Sequence, residues 1–228
     1  MNKILIVAAH PDDEILGCGG TVAKMIKSGY HAKTIILGTG ISSRDNIADS
    51  EKEIKNLRER SVNANDVLGI DEVVFHDLPD NAFDTVKLLD IVKIVEKEIF
   101  EYRPDIIFTH YGEDLNIDHR ITFQSVITAC RPDVSGYNPD IYSFFVPSST
   151  DWNEVSPLKS FTPNVFIEVS DTIKIKLDSL SMYDSEMRPY PHSRSIRSIE
   201  VFSQYWGNRV CRESCEPFVL IRTIREEL

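Results

Sequence analysis

A histidine and three consecutive acidic residues follow a short apolar segment near the start of the chain. Residues 4–9 read ILIVAA and lead directly into residues 10–14, which read HPDDE. Adjacent acidic side chains repel one another unless a cation lies among them. Imidazole together with carboxylate suits a zinc ion that keeps an open coordination position. An acidic helix N-terminus would also explain positions 12–14, but it would not explain the histidine before them.

A second concentration of polar residues, at 109–119 (THYGEDLNIDH), follows the fourth predicted strand. Ligands of an open parallel sheet bind at the carboxyl ends of the strands, so the two polar segments meet there if strands one and four are neighbours. A catalytic zinc ion usually takes three protein ligands and water. We predict His10 and Asp13 as two of these ligands and His119 as the third, with His110 as the rival third ligand.

Two further carboxylates, Asp12 and Asp118, belong to the same segments. A carboxylate beside a metal-bound water is placed to remove its proton, and zinc lowers the pKa of that water to about 7. Asp118 could hold the ring of a histidine ligand. No Ser or Cys lies in the context of a nucleophile elbow. These residues predict a metal-assisted hydrolase that uses water as its nucleophile and Asp12 as its general base.

The glycines of residues 17–20 (GCGG) suggest an alternative from another class, a nucleotide-binding domain of the oxidoreductase type. The pattern G-x-G-x-x-G would need glycine at position 22, which is Val22. Acidic residues also separate the strand from Gly17, and they would repel a pyrophosphate. We interpret the glycines as positions where a helix backbone passes close to the metal-binding loop. Bound zinc would favour the hydrolase, and copurified dinucleotide would favour the alternative.

Length and composition limit the classes of protein to which the chain can belong. The 228 residues carry a net charge of −11, and we predict one domain over residues 1–228. A chain this acidic is a poor candidate for binding nucleic acid or an anionic membrane. We find no secretory signal and no segment of the roughly twenty apolar residues that a membrane anchor needs. The four cysteines read as reduced thiols, which predicts a cytoplasmic protein.

Strand-like and helical patterns alternate along the first half of the chain. The predicted strands are residues 3–9, 33–37, 72–75, 105–108, 141–146, 165–169 and 218–221. The predicted helices are residues 18–28, 46–68, 86–102, 119–130, 171–183 and 193–206. This order predicts an α/β fold with a Rossmann-like, mostly parallel sheet and helices on both faces. We interpret residues 147–163 as the rim of an active site.

Two motifs resemble those of the PIG-L-like (LmbE-like) zinc-dependent N-deacetylases. They are residues 9–14 (AHPDDE) with the glycines that follow, and residues 114–120 (DLNIDHR). Other positions that match landmarks of this family are Arg58, residues 68–69 and residues 78–81 (LPDN). The likeness runs from residue 3 to about residue 132, and it continues more weakly through residues 191–195 and 216–218.

The resemblance implies a role for each matching residue. The positions that match the ligands of one zinc ion are His10, Asp13 and His119. Asp12 matches the general base, and Asp118 matches the carboxylate that partners a histidine. Three residues are predicted to bind substrate. Arg58 and Asp80 match positions that hold substrate hydroxyls or a head group, and His192 lies in a C-terminal segment that closes over the pocket in some members.

One position departs from the family pattern. Many members carry a histidine three residues before the last zinc ligand, where it is thought to steady the oxyanion or protonate the leaving amine. This chain has Asn116 there. An amide can donate a hydrogen bond to an oxyanion, but it cannot act as an acid. Delivery of the proton to the amine then falls to Asp12, His192 or His110.

The resemblance implies removal of an acetyl group from an N-acetylated amino sugar or its conjugate. A zinc-binding member without hydrolytic activity is the remaining possibility. Substrates across the family range from glucosaminyl-inositols and glucosaminyl-malate to chitooligosaccharides, antibiotic intermediates and precursors of sugar nucleotides or polysaccharides. The arginines that could meet an anionic aglycone are Arg58, Arg60, Arg188, Arg194 and Arg197. Related proteins are often homo-oligomers, but no residue here fixes a number of subunits.

Overall fold

A seven-stranded, mostly parallel sheet forms the centre of the protein. The computed structural model describes residues 2–41, 50–132, 136–153 and 160–224. The strands in these ranges are β1 Lys3–Ala8, β2 His31–Gly38, β3 Glu72–Leu78, β4 Ile106–His110, β5 Asp140–Phe144, β6 Val165–Glu168 and β7 Cys215–Arg222. Their order is β3-β2-β1-β4-β5-β7-β6, with β7 antiparallel to both of its neighbours. The predicted Rossmann-like, mostly parallel sheet in a single domain is confirmed.

Six α-helices cover both faces of this sheet within the described ranges. They are α1 Asp13–Lys27, α2 Ser50–Leu68, α3 Leu88–Tyr102, α4 Ile117–Ala129, α5 Ile173–Leu180 and α6 Ile196–Asn208. One core cluster contains Ile4 and Ile6 of β1 with apolar residues of α1, α2, α5 and α6. The opposite cluster contains Leu5 and Val7 with residues of α3 and α4. Because β1 is buried on both faces, its sequence is a continuous apolar run rather than an alternating one.

The position of β1 in the sheet brings the two polar segments together. Strand β1 pairs in parallel with β2 on one side and with β4 on the other. The chain therefore winds outward in both directions from β1, and the carboxyl ends of β1 and β4 lie side by side. This is the point of an open α/β sheet where ligands bind.

Helix α1 begins at Asp13, five residues before the predicted start at residue 18. The Asp12 carbonyl oxygen accepts hydrogen bonds from the amides of Ile15 and Leu16, and the acidic residues Asp13 and Glu14 occupy the first turn. Carboxylates are stabilised there by the positive end of the helix dipole. The acidic cap and the metal-binding loop are thus the same residues. The predicted start of the second helix, at residues 46–49, lies outside the described residues.

The glycines of residues 17–20 lie inside α1. We expected them to lie close to the metal-binding loop, but the close contacts of Gly17 and Gly20 are with strands of the sheet, and those of Gly19 are with helical residues. A Cβ at Gly17 would lie 2.3 Å from Cδ2 of Phe144 on β5. A Cβ at Gly20 would lie 3.2 Å from Oε1 of Glu216 on β7. These contacts leave no loop in which a pyrophosphate could lie, and they do not favour a dinucleotide-binding domain.

Two findings bear on the predictions from composition. Within the described ranges, no helix combines the length and the apolar character needed to cross a membrane. All four cysteines are free thiols.

Candidate metal centre

Three side chains predicted as metal ligands meet at the carboxyl ends of β1 and β4. His10 follows β1, Asp13 opens α1, and His119 lies in the first turn of α4. Asp13 Oδ2 lies 3.4 Å from His10 Nδ1 and 3.2 Å from His119 Nε2. Candidate ligand atoms of these three residues all lie within 4.8 Å of one another.

This donor set fits a zinc ion. Two ligand atoms bound to a tetrahedral zinc at about 2.0–2.1 Å lie about 3.3 Å apart, which matches the two separations at Asp13. Asp13 Oδ1 and His119 Nε2 are buried and make no hydrogen bond. Buried polar atoms without partners are costly, and a bound cation would satisfy both. Two imidazoles and one carboxylate are also the ligand types of a catalytic zinc with an open position.

The electrostatics of the site favour positive charge among these ligands. Burial alone would lower the pKa of His10, but hydrogen bonds with Asp118 and Asp13 raise it to about 10. Burial also lowers the pKa of His119, while the charges of Asp13 and Asp114 raise it to about 9. Burial raises the pKa of Asp13, but the charge of His119 and the close approach of both imidazoles bring it well below its usual value.

Each imidazole is oriented by a carboxylate on the side away from Asp13. Asp118 Oδ2 lies 2.9 Å from His10 Nε2, and Asp118 Oδ1 accepts a hydrogen bond from the Phe83 amide. Asp114 Oδ1 lies 3.1 Å from His119 Nδ1. Carboxylates placed in this way fix the ring orientation and the tautomer of a metal ligand.

Asp114 contacts a candidate metal ligand, and sequence reasoning gave it no role. Its two carboxylate oxygens also accept hydrogen bonds from the hydroxyl groups of Ser149 and Thr150, which fix it behind His119. Asp114 stands in the DLNIDH motif, so its position was visible in the sequence. The two hydroxyl partners lie about 35 residues further along the chain, and no local pattern indicated them.

The Asp12 side chain is buried and contacts an arginine. Its φ of 100° is in the left-handed region, and its side chain is 1% exposed. Asp12 Oδ2 accepts a hydrogen bond from Nη1 of Arg194 over 2.9 Å. Burial raises the pKa of Asp12, whereas the positive charge of Arg194 lowers it. Burial has the larger effect, so the pKa of Asp12 lies well above its usual value.

A buried network centred on Glu14 supports this turn. Glu14 Oε2 accepts a hydrogen bond from the Asp12 amide, and Oε1 accepts hydrogen bonds from Asn65 and Tyr183. Burial raises the pKa of Glu14 to about 7. Because αL backbone is costly for a residue other than glycine, these contacts help to hold Asp12 in its conformation.

His110, the rival third ligand, is fully buried and packs against His119. Its ring stacks on His119 at 3.9 Å between centroids, and its Nε2 accepts a hydrogen bond from the Ala9 amide. Burial lowers its pKa well below the usual value, which favours the neutral ring. Because Nε2 already serves as an acceptor, the donor geometry favours His119 over His110 as the third ligand.

A pocket of about 180 Å³ opens over the centre. The residues that line it are His10, Pro11, Asp12, Gly40, Asp80, Asn81, Asn116, Glu186 and Arg194. Asp80 Oδ1 lies 3.3 Å from His10 Nε2. Asn116 caps α4, because its Oδ1 accepts a hydrogen bond from the Asp118 amide. Its Nδ2 donates a hydrogen bond to Asn81 Oδ1 over 3.2 Å.

Two predicted substrate-binding residues are not part of this lining. Arg58 pairs with Asp77 and lies over the ring of Phe75. His192 Nδ1 accepts a hydrogen bond from the Arg194 amide, so His192 contacts the pocket through its neighbour. A larger cavity of about 710 Å³, between α3 and α4, contains none of the predicted site residues.

The sequence and the fold are both similar to known proteins. The sequence profile of the family described as "PIG-L: GlcNAc-PI de-N-acetylase" matches residues 5–130. The uncharacterized deacetylase YaiS of Escherichia coli (strain K12) is 30% identical over 190 residues, which cover 80% of this chain and 90% of that protein. The diacetylchitobiose deacetylase of Thermococcus kodakarensis is 24% identical over 82% of this chain and 70% of its own length.

A solved structure of similar fold carries a different activity. The 4-carboxy-2-hydroxymuconate hydratase GalB of Pseudomonas putida KT2440 has a TM-score of 0.79 to this chain, with both chains covered completely at 18% identity. This likeness shows the fold alone, and it does not by itself indicate a reaction.

Proposed function

This chain belongs to the PIG-L (LmbE-like) family of deacetylases, and from that premise we propose that it is a zinc-dependent hydrolase that removes the acetyl group from an N-acetylated amino sugar or its conjugate. The observation that carries the proposal is the convergence of His10, Asp13 and His119 beside the buried carboxylate of Asp12. Three ligands, an adjacent base and a polar pocket are the parts that metal-assisted hydrolysis of an amide requires.

Zinc held by His10, Asp13 and His119 would supply a Lewis acid for the acetyl carbonyl and would lower the pKa of the attacking water. Asp12 takes a proton from that water as the new carbon–oxygen bond forms. The same carboxyl group can then give the proton to the nitrogen as the carbon–nitrogen bond breaks, which leaves acetate and a free amine. Arg194, bound to Asp12 Oδ2, orients this carboxylate and favours its charged form.

Asn116 supplies a further hydrogen-bond donor at the pocket. Its Nδ2 carries two N–H groups, and one of them points to Asn81. We propose that the amide donates to the oxygen that becomes negative during attack, as oxyanion-binding side chains do. Asp118 contributes indirectly, because it orients His10.

Among the substrate-binding residues predicted from the resemblance, Asp80 has the most direct support because it lines the pocket. The roles of Arg58 and His192 stay predictions, since their side chains contact Asp77 and the Arg194 amide instead. Substitution of Arg58 by Ala should raise KM or lower kcat/KM while zinc stays bound. An unchanged kcat/KM on a verified substrate would identify Arg58 as a surface residue of α2.

The test of the function combines a metal measurement with an assay of acetate release from N-acetyl sugars. We expect stoichiometric zinc and acetate release in the wild type, and loss of both in His119→Ala. The matched control is His31→Ala, because His31 is exposed on β2 and pairs with Asp71. Full zinc content in His119→Ala would remove His119 from the ligand set. Zinc without acetate release from any N-acetyl sugar would favour a non-hydrolytic family member.

Two features of the protein as a whole also stay predictions. The four free thiols agree with a cytoplasmic location, which fractionation of the producing cells can test. Self-association into a homo-oligomer follows from the resemblance alone, and sedimentation analysis would measure it.

A further inference from the structure

The pocket over the metal centre is lined mainly by acidic and amide side chains. Those of the described lining are Asp12, Asp80, Glu186, Asn81 and Asn116. Arg194 is the one arginine or lysine among the described residues of this lining. A substrate group that enters the pocket therefore meets hydrogen-bond acceptors and negative charge on most sides.

The positive charge of Arg194 is already engaged. Its Nη1 donates to Asp12 over 2.9 Å, and its Nε donates to the hydroxyl of Ser148 over 2.8 Å. Its guanidinium side chain is 22% exposed. An anionic substrate group would have to share this cation with Asp12, the carboxylate that we assign as the base.

The four other arginines considered as partners of an anionic aglycone also have contacts of their own. These contacts are Arg58 with Asp77, Arg60 with Asp184, Arg188 with the carbonyl oxygen of Ser185, and Arg197 with the ring of Tyr190. None of the four lines the described part of the pocket. Of the five arginines that could meet an anionic aglycone, only Arg194 thus lines the described part of the pocket.

We propose that this pocket selects an uncharged or amine-bearing N-acetyl sugar over one with an anionic aglycone, and that Glu186 is a specificity-determining residue. The inference rests on the proposed deacetylase function and deepens it. Glu186 lies on the pocket wall after α5, near Arg194 and Asp12.

The chemistry of the lining supports this selection. Sugar hydroxyl groups can donate to the carboxylates of Asp80 and Glu186, and they can accept from the amides of Asn81 and Asn116. A phosphate or carboxylate has no proton to donate and brings like charge beside Asp80 and Glu186. Glu186 lines the same pocket as Asp12 and Arg194, so a change of its charge acts directly on a group bound there.

The test compares matched ligands with and without an anionic group. Calorimetry on the zinc-loaded protein would measure the Kd of methyl glucosaminide and of glucosamine 1-phosphate, which are products of the proposed reaction. Acetate release would be followed with the corresponding N-acetyl compounds. We expect the methyl glycosides to bind more tightly and to react with the higher kcat/KM.

Glu186→Gln should reduce the ratio of the Kd of glucosamine 1-phosphate to the Kd of methyl glucosaminide by about tenfold at low salt. The reason is that the substitution removes one partly screened like charge. The control is Glu101→Gln, which makes the same charge change in the last turn of α3. Thermal denaturation would show that both variants are folded. If the ratio of the two Kd values changes no more in Glu186→Gln than in Glu101→Gln, the proposed role of Glu186 is overturned.

The two proposals fail in distinguishable ways. Acetate release together with equal or tighter binding of the 1-phosphate by the wild type would overturn the charge selection and leave the deacetylase function standing. The expected binding preference without acetate release from either compound would support the charge selection and count against the deacetylase function.

Discussion

Asp12 and Asp13 are consecutive residues with different partners. The Asp12 side chain binds Arg194, whereas the Asp13 side chain lies between His10 and His119. The backbone at Asp12 is left-handed directly before the helix begins, and the side chains of Asp12 and Asp13 therefore reach different partners. Adjacent carboxylates can therefore hold separate roles, one as base and one as ligand.

We predict opposite effects for the two amide substitutions. Asp12→Asn should keep zinc and lower kcat by roughly 10²–10⁴, the usual contribution of a general base. Asp13→Asn should lose metal affinity, because an anionic ligand is replaced by a neutral one. Zinc content and turnover at saturating zinc would be measured for both variants. A metal-free Asp12→Asn with a zinc-containing Asp13→Asn would reverse the two assignments.

Asp114 should tune the metal site without binding the metal. Asp114→Asn removes the charge that orients His119 through Nδ1, so zinc affinity should fall by about 10–100-fold. Competition with a chromogenic chelator would measure the change. Asp66→Asn, an exposed change of the same chemistry on α2, is the control. Equal zinc affinity in Asp114→Asn and wild type would show that Ser149 and the surrounding packing suffice to hold the ring.

Helix α1 carries both the candidate metal-binding turn and a close contact with the sheet. Its first residue is Asp13, and four residues later Gly17 lies against the ring of Phe144. Lys176 of α5 further fixes α1 by donating to the Leu16 carbonyl oxygen and to Glu216. The position of Asp13, the candidate metal ligand on α1, therefore depends on how closely α1 can pack against the sheet.

Gly17→Ala tests this dependence at the level of the helix. The new Cβ would overlap the Phe144 ring, so we expect a loss of about 1–3 kcal/mol in the free energy of unfolding despite the better helix propensity of Ala. Denaturant titration would measure it. In a Phe144→Leu background the same substitution should cost less, and a double-mutant cycle gives the coupling. Additive costs would mean that the two positions do not compete for space.

At the scale of the whole molecule, the candidate metal site gathers buried carboxyl groups at the carboxyl ends of β1 and β4. The carboxyl groups of this region that are less than a tenth exposed are Asp12, Asp13, Glu14, Asp80, Asp114 and Asp118. Like charges held close together disfavour the folded state unless cations balance them. A divalent ion bound only by the folded chain should therefore stabilise the molecule.

Removal of zinc is expected to lower Tm. At a free zinc concentration of about 100 times Kd, binding contributes about 2.7 kcal/mol, which corresponds to a shift of about 5–10 °C for a chain of this size. Calorimetry before and after chelation, and after zinc is returned, would measure the change. His119→Ala should lack most of this response. A wild-type Tm that does not depend on zinc would mean that the folded chain binds no zinc at this site.

Sequence alone determined the elements and the residues with the strongest chemical signals. The buried character of β1 was visible because a strand covered on both faces is apolar throughout. The predicted start of α1 at residue 18 was wrong, because residues 13 and 14 of the metal-binding segment also form the first turn of the helix. The AHPDDE and DLNIDH segments indicated a metal centre through residue types that repel one another unless a cation is bound.

Only the tertiary structure decided which side chains meet. The adjacency of β1 and β4 brings His10 and Asp13 to His119 across more than a hundred residues of chain. The partners that orient the site come from still other segments, as Arg194 does for Asp12. Periodicity along a sequence reports which side chains are buried. It does not report their neighbours, because these are set by strand order and helix packing between segments distant in the chain.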